Sequence, residues 1–322
     1  MIIRLSSHLT CKALIGLVLA SLAAGCGGGS SGPPPAPRVF APNSATNSIA
    51  VYNSRANGDA KPLRSIDGGT TQLANPQAIA FDNRGLIYVA NGDNSTITVF
   101  SHSANGDVGP ISVISGASTL LIDPQGIRVD RQNRIYAANA GGNTVTVYAP
   151  AASGNAAPIA LVGGPATGLK EPEDVIFDPA GNVYVANTAG NSVTVYPPNS
   201  NGNAAFIRRI KGLLTRLHAP DALAMDGSGN LYVANSDSDS VTVYAPGANG
   251  DVAPVGVLAG PETMIAAPGG IAYGGGLLFV ASSPEDAILR FNALTRGNNS
   301  PQAVIEGADT ELSVPFGIAL SF

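Results

Sequence analysis

Charge, cysteine and histidine are all scarce in this chain of 322 residues. Only 12% of residues are charged, and acids outnumber bases 22 to 17. No basic patch or stripe is present, so nucleic acid has no electrostatic footprint to bind. Of the two cysteines, Cys11 falls in an apolar leader and Cys26 directly follows it. A single remaining thiol excludes a disulfide framework. Beyond the leader the only histidines are His102 and His218, too few for the common zinc sites. His102, between Ser101 and Ser103, reads as a surface turn residue. There is no Gly-x-Ser-x-Gly elbow. The glycine runs at 27–29 and 274–276 lack the strand-to-helix setting of a phosphate loop. No segment keeps a helical period long enough for a crossover helix.

What the chain does have is a repeat. The segment from Pro220, "PDALAMDGSGNLYVANSDSDSVTVYAPGANGDVAPVGVLAG", realigns on Pro172, Pro124 and Pro76 at steps of 48 residues. Its aromatic marks the register as Phe40, Tyr88, Tyr136, Tyr184, Tyr232 and Phe279, the last step shortening to 47. A fixed period of this size is the mark of a repeat architecture. Within one unit, "DALAM" is a short apolar run closed by an Asp-x-x-Gly turn. "NLYVAN" is a second run, "SVTVYAP" alternates strictly, and "VGVLAG" is a weaker fourth. Four short antiparallel strands repeated radially define a β-propeller blade, whose two apolar faces pack against neighbouring blades.

The ends of the chain count the blades. "VPFGIALSF" at the C-terminus matches only the first strand of a unit, whereas the stretch from Val39 matches only strands two to four. The expected fold is therefore all-β, a six-bladed β-propeller over 38–322. A C-terminal strand joins the N-terminal blade and removes the open edge.

Residues 1–25 read as a secretory signal peptide: Arg4 and Lys12 precede "ALIGLVLASL", an apolar run too short to span a membrane. The leader ends in "LAAGC", which resembles the bacterial lipobox, with Ala23 where that motif prefers leucine. The resemblance implies lipidation of Cys26 and attachment to a membrane. Residues 26–37, "CGGGSSGPPPAP", have the composition of a tether.

The Ala78–Phe100 segment and its copies resemble NHL-repeat propellers, and "YAANAGGNTVTVY" at Tyr136–Tyr148 is also similar to the YVTN repeat. The absence of tryptophan speaks against WD40 propellers and Trp-docking quinoprotein propellers. NHL membership implies a fold and a binding-prone top face, not a reaction.

The recurring Asn43, Asn91, Asn139, Asn187 and Asn235 end the second strand and are expected to adopt the left-handed conformation and cap the next turn. Asp82, Asp130, Asp178 and Asp226 are expected to cap the turn after the first strand. Chemistry is expected where the blades differ. The position after the repeat proline holds Gln77, Gln125, Glu173, Asp221, Gly269 and Phe316, near one mouth of the central channel.

Glu173 and Asp221, with Asp174 and His218 nearby, form the candidate ligand site, and Glu173 and Asp221 the candidate metal pair. SMP-30-like and gluconolactonase-like propellers place carboxylate and asparagine ligands at comparable strand starts. Lyases of the virginiamycin-lyase type depend on several histidines, which this chain lacks. A carbohydrate-binding role would need exposed aromatics, and aromatics are only 6% of the chain.

The expectation is an exported, lipid-anchored binding or scaffolding module at the bacterial cell envelope, on the outer membrane or cell surface. Its partners would be the membrane, through Cys26, and a protein or small molecule on the top face. The alternative is a metal-dependent lactonase or lyase that uses Ca²⁺ or another divalent cation.

Overall fold

Six sheets of four antiparallel strands follow one another along the chain in the computed structural model, which describes residues 37–321. Blade II contains Pro76–Phe81, Ile87–Asn91, Thr96–Phe100 and Ser112–Ile114. Blades III to VI repeat that order from inner strands Pro124–Val129, Pro172–Phe177, Pro220–Met225 and Pro268–Gly274. Blade I is composite: Ala319–Ser321 pairs with Arg38–Asn43, followed by Ser48–Asn53 and Arg64–Ile66. The predicted closure is thus the observed one. The leader, Cys26 and the tether lie outside the described residues. No helix among the described residues is long and apolar enough to cross a membrane.

The core lies between blades rather than within one. One cluster joins Tyr136, Val145 and Val162 of blade III to Val175, Val185 and Tyr196 of blade IV. The other junctions are filled in the same manner by alternating Val, Ile and Ala. An isolated blade would leave both faces wet, so the ring is the stable unit.

A polar clamp repeats at each junction. A glycine in the loop between strands three and four (Gly58, Gly106, Gly154, Gly202, Gly250, Gly297) bridges in parallel to the outer strand of the preceding blade. The next residue then caps that blade's exit turn in trans. Asp59, Asp107, Asn155, Asn203, Asp251 and Asn298 each accept the backbone N–H of a residue in that turn at 2.6–2.7 Å. The glycines have φ of 60–76°, open to Gly at little cost. This turn therefore also fastens one blade to the next.

Asp82, Asp130, Asp178 and Asp226 cap their turns as expected. Asp226 Oδ1 accepts from the backbone N–H groups of Ser228 and Asn230, both at 2.9 Å. The strand-end asparagines are structural for a different reason than expected. Asn91, Asn139, Asn187 and Asn235 are fully buried, and Asn235 is extended at φ −117°. Asn187 Nδ2 donates to Thr194 Oγ1 at 3.0 Å, while its Oδ1 accepts from the Lys170 N–H at 3.1 Å. The left-handed position falls four residues later, on Ser95, Asn143, Asn191 and Asp239.

Candidate functional site

The six inner strands wall the central channel, and their sequences align as columns. Prolines open the five complete ones, where the missing N–H costs no ladder bond. In blades II to VI the register shifts between the proline and the residue two places on. The residue between them, Gln77, Gln125, Glu173, Asp221 or Gly269, is therefore a bulge without a pairing partner, the device by which a strand re-aims a side chain. Each preceding residue, from Asn75 to Val314, has φ of 34–52°. That strained backbone is held from the neighbouring blade, as where Asn191 Oδ1 accepts the Ala219 N–H at 2.7 Å.

The bulge residues meet with Phe316 around one mouth of the channel. Glu173 and Asp221 come together there, as the sequence suggested, with Asp174 below them. His218 does not join them. It is exposed on the connection into blade V, where its backbone N–H donates to Asn235 Oδ1. His102 is likewise exposed.

The mouth is narrow. The column below the bulges is Ala78, Gly126, Asp174, Ala222, Gly270 and Gly317, small because the inner strands nearly touch. A Cβ on Gly126 would lie 2.5 Å from the Glu173 carbonyl oxygen, and one on Gly317 would lie 2.5 Å from that of Gln77. The space left is about 30 Å³, room for one or two waters.

Two acceptors in this mouth have nothing to accept. Glu173 Oε2 is buried without a donor, and so is Oε1 of Gln77, a residue only 5% exposed. Burial, reinforced by the charges of Asp221, Asp123, Glu171 and Asp174, pushes the Glu173 carboxyl up to about 8. Burial also raises Asp221 to about 6, although hydrogen bonds from Ser236 and Thr188 pull it back. Such groups await a proton, a cation or a hydrogen-bond donor.

Asp174 differs from its neighbours because its oxygens are already occupied. Oδ1 accepts from Val175 N–H at 2.8 Å, and Oδ2 accepts from Leu223 N–H of the next blade at 2.9 Å. Its charge faces Arg128 Nη2 of the preceding blade at 3.7 Å. Burial raises its pKa, against the pull of Arg128 and the two amides. Arg128 is the complementary departure: its column otherwise reads Ala80, Ile176, Ala224, Ala272 and Ala319. Asp174 and Arg128 thus tie three blades together below the mouth.

Among the described residues, no three His, Cys, Asp or Glu side chains are grouped to hold a metal ion. A cation here would have Glu173 and Asp221 as its charged ligands, with amide oxygens from the glutamines completing the set. Oxygen donors of this type suit a hard divalent ion, and the orphaned Gln77 oxygen fits that role.

Beyond the throat the channel widens towards the opposite face. An inner hollow of about 310 Å³ is lined by Ile176, Leu223, Ile271 and Leu320, with Arg128 as its charged group. It shares Phe177, Met225 and Tyr273 with an outer hollow of about 790 Å³. This larger space was not anticipated, because the strand residues that line it (Val129, Phe177, Met225, Tyr273) read in sequence as ordinary core.

Fold and site together define the class: a six-bladed β-propeller with a polar mouth at one end of its channel and, at the other, a wider funnel that is apolar at its inner end and polar at its rim. The sequence model of the family described as "Lactonase, 7-bladed beta-propeller" matches residues 39–174. No curated protein matches the chain. Among solved structures, a protein of unknown function from Bacteroides caccae superposes with a TM-score of 0.64 at 12% identity, covering 88% of this chain and 98% of that one. A chain of a nidogen/laminin complex gives 0.60 at 14%, covering 89% and 98%. The structure of a streptogramin B lyase gives 0.53 at 15%, covering 89% and 88%. At these identities the likeness is one of fold.

Proposed function

We propose that the protein is an exported, lipid-anchored NHL-like propeller that acts as a binding module at the bacterial cell envelope, taking a cationic group of its ligand into the channel mouth. The observation that carries this reading is the pair of donor-less buried acceptors, Glu173 Oε2 and Gln77 Oε1, beside Asp221. The same face exposes Leu120, Ile122, Leu213 and Leu214 on the connections between blades, apolar surface of the kind that partners cover. Butylammonium is a suitable probe for a lysine-like group, and it should raise the melting temperature in wild type and not in Glu173→Gln with Asp221→Asn. Equal melting of both proteins with and without the probe would end this reading.

The leader and lipobox supply the location. Cys26→Ala should move the protein from the membrane fraction to a soluble extracytoplasmic one, because a diacylated cysteine anchors where the polar tether cannot. Unchanged membrane partition of the variant would rule the anchor out.

A second reading, a metal-dependent lactonase, is favoured by the family match, which ends at Asp174 beside the mouth. In that case millimolar Ca²⁺ or Mg²⁺ should raise the melting temperature by linkage. The Glu173→Gln, Asp221→Asn protein should lose the rise, and gluconolactone hydrolysis should require the same cation. Melting indifferent to divalent cations and chelator would remove the metal and this enzyme reading with it.

A further inference from the structure

The funnel on the face opposite the mouth has the dimensions of a ligand site. Small-molecule pockets run from about 300 to 1,000 Å³ and combine apolar walls with a few placed polar groups; the outer hollow measures about 790 Å³ and the inner about 310 Å³. Its walls are braced. Phe177 meets Tyr136 edge-on with ring centres 4.7 Å apart, and Tyr273 stacks on Tyr232 at 5.9 Å. The rim is polar: its aspartates are already engaged, Asp130 by Arg134, Asp178 by Asn182 and Asp226 by Asn230, and Arg131, Gln132 and Asn199 stand beside them.

At the inner end is Arg128. Its Nε donates to the Val175 carbonyl oxygen at 3.2 Å, and Nη2 has only the longer 3.7 Å approach to Asp174. Arg128 lines both the inner hollow and the mouth, so its side chain borders channel space. Such a fork in an apolar shaft matches a carboxylate. The funnel also opens on the face where the propeller begins, since Arg38 pairs with Ser321 at that end of blade I.

We propose that the funnel and shaft bind an amphipathic monocarboxylate of the fatty-acid type, its apolar body packed among Phe177, Met225 and Tyr273 and its carboxylate on Arg128. The apolar body of the ligand lies outside the mouth, and the site borders the mouth only at its inner end, by Arg128, Ile271 and Ile318.

Calorimetry on the Cys26→Ala protein, with decanoate and decanol as probes, tests this. Decanoate should bind at least tenfold more tightly than decanol. Lengthening from octanoate to decanoate should tighten binding about fourfold per methylene. Arg128→Met combined with Asp174→Asn, which leaves neither charge unpaired, should erase the preference for decanoate. Met225→Trp, which fills the funnel, should abolish binding of both probes, and melting curves will show that each variant is folded. Glu173→Gln at the mouth should leave decanoate binding unchanged, so failure of the mouth reading and failure of this one are distinguishable. Absence of decanoate binding at millimolar concentration, or equal binding of decanoate and decanol by the wild type, overturns the proposal. Should the double variant not fold, the wild-type pair and Met225→Trp still decide it.

Discussion

Deleting residues 315–322 should leave a chain that aggregates or melts far below the full-length protein. Those residues supply the whole inner strand of blade I, with Ala319–Ser321 paired to Arg38–Phe40. They also supply the bridge from Pro315 to Asn43 and the bond from Phe316 N–H to the Pro42 carbonyl oxygen at 3.2 Å. Pro315 further accepts from Ser283 Oγ at 2.9 Å, which joins blade VI to the seam. Each such bond contributes about 0.5–1.5 kcal/mol net. Burial of Ile318, which packs against Phe279 and Leu312, adds roughly 1.5–3 kcal/mol. The loss also opens the inner edge of Arg38–Asn43 to pairing with another chain. Together these terms are comparable with the 5–15 kcal/mol that holds a typical domain folded. A truncated chain with the same melting temperature would show that the ring does not depend on this seam.

The same seam marks how much could be read from sequence. Register at 48 residues, strand count per unit and the incomplete first and last units are all local patterns, so blade number and closure followed from them. The mouth was legible because the bulge column varies (Gln, Gln, Glu, Asp, Gly, Phe) where the rest of the unit repeats. Three features escaped. Placing His218 beside Asp221 relied on closeness in sequence, but a left-handed Ala219 and Pro220 stand between them and the histidine stays outside. The Arg128–Asp174 pair is two departures 46 residues apart in different columns, and neither points to the other until the inner strands lie side by side. The funnel escaped because residues facing a channel and residues facing a core follow the same alternation. A signal for the clamps was present: an Asn-Gly-Asp or Gly-Asn step recurs in every unit, more constant than a free turn requires.

Wild-type stability should fall as pH rises between about 4.5 and 8, and Glu173→Gln should remove most of that fall. Folding carries the Glu173 carboxyl from 4.5 up to about 8, chiefly by burial and then by the Asp221 charge. Between those values the folded state holds a proton that the unfolded chain has released, so rising pH favours unfolding. At 1.36 kcal/mol per unit the effect is on the order of 5 kcal/mol once pH passes 8. Asp221, raised to about 6, adds a smaller loss at lower pH, which the single variant keeps. Glutamine preserves the shape and carries no charge, so the variant should match wild type near pH 4 and exceed it at pH 9. The measurement is denaturant unfolding at pH 4, 7 and 9 with chelator present, since a bound cation would stabilise the ionised carboxylate and hide the effect. Parallel pH profiles for the two proteins would show that the Glu173 carboxylate finds solvent or a donor in the mouth, and the cation-receiving role proposed for it would then lose its physical basis.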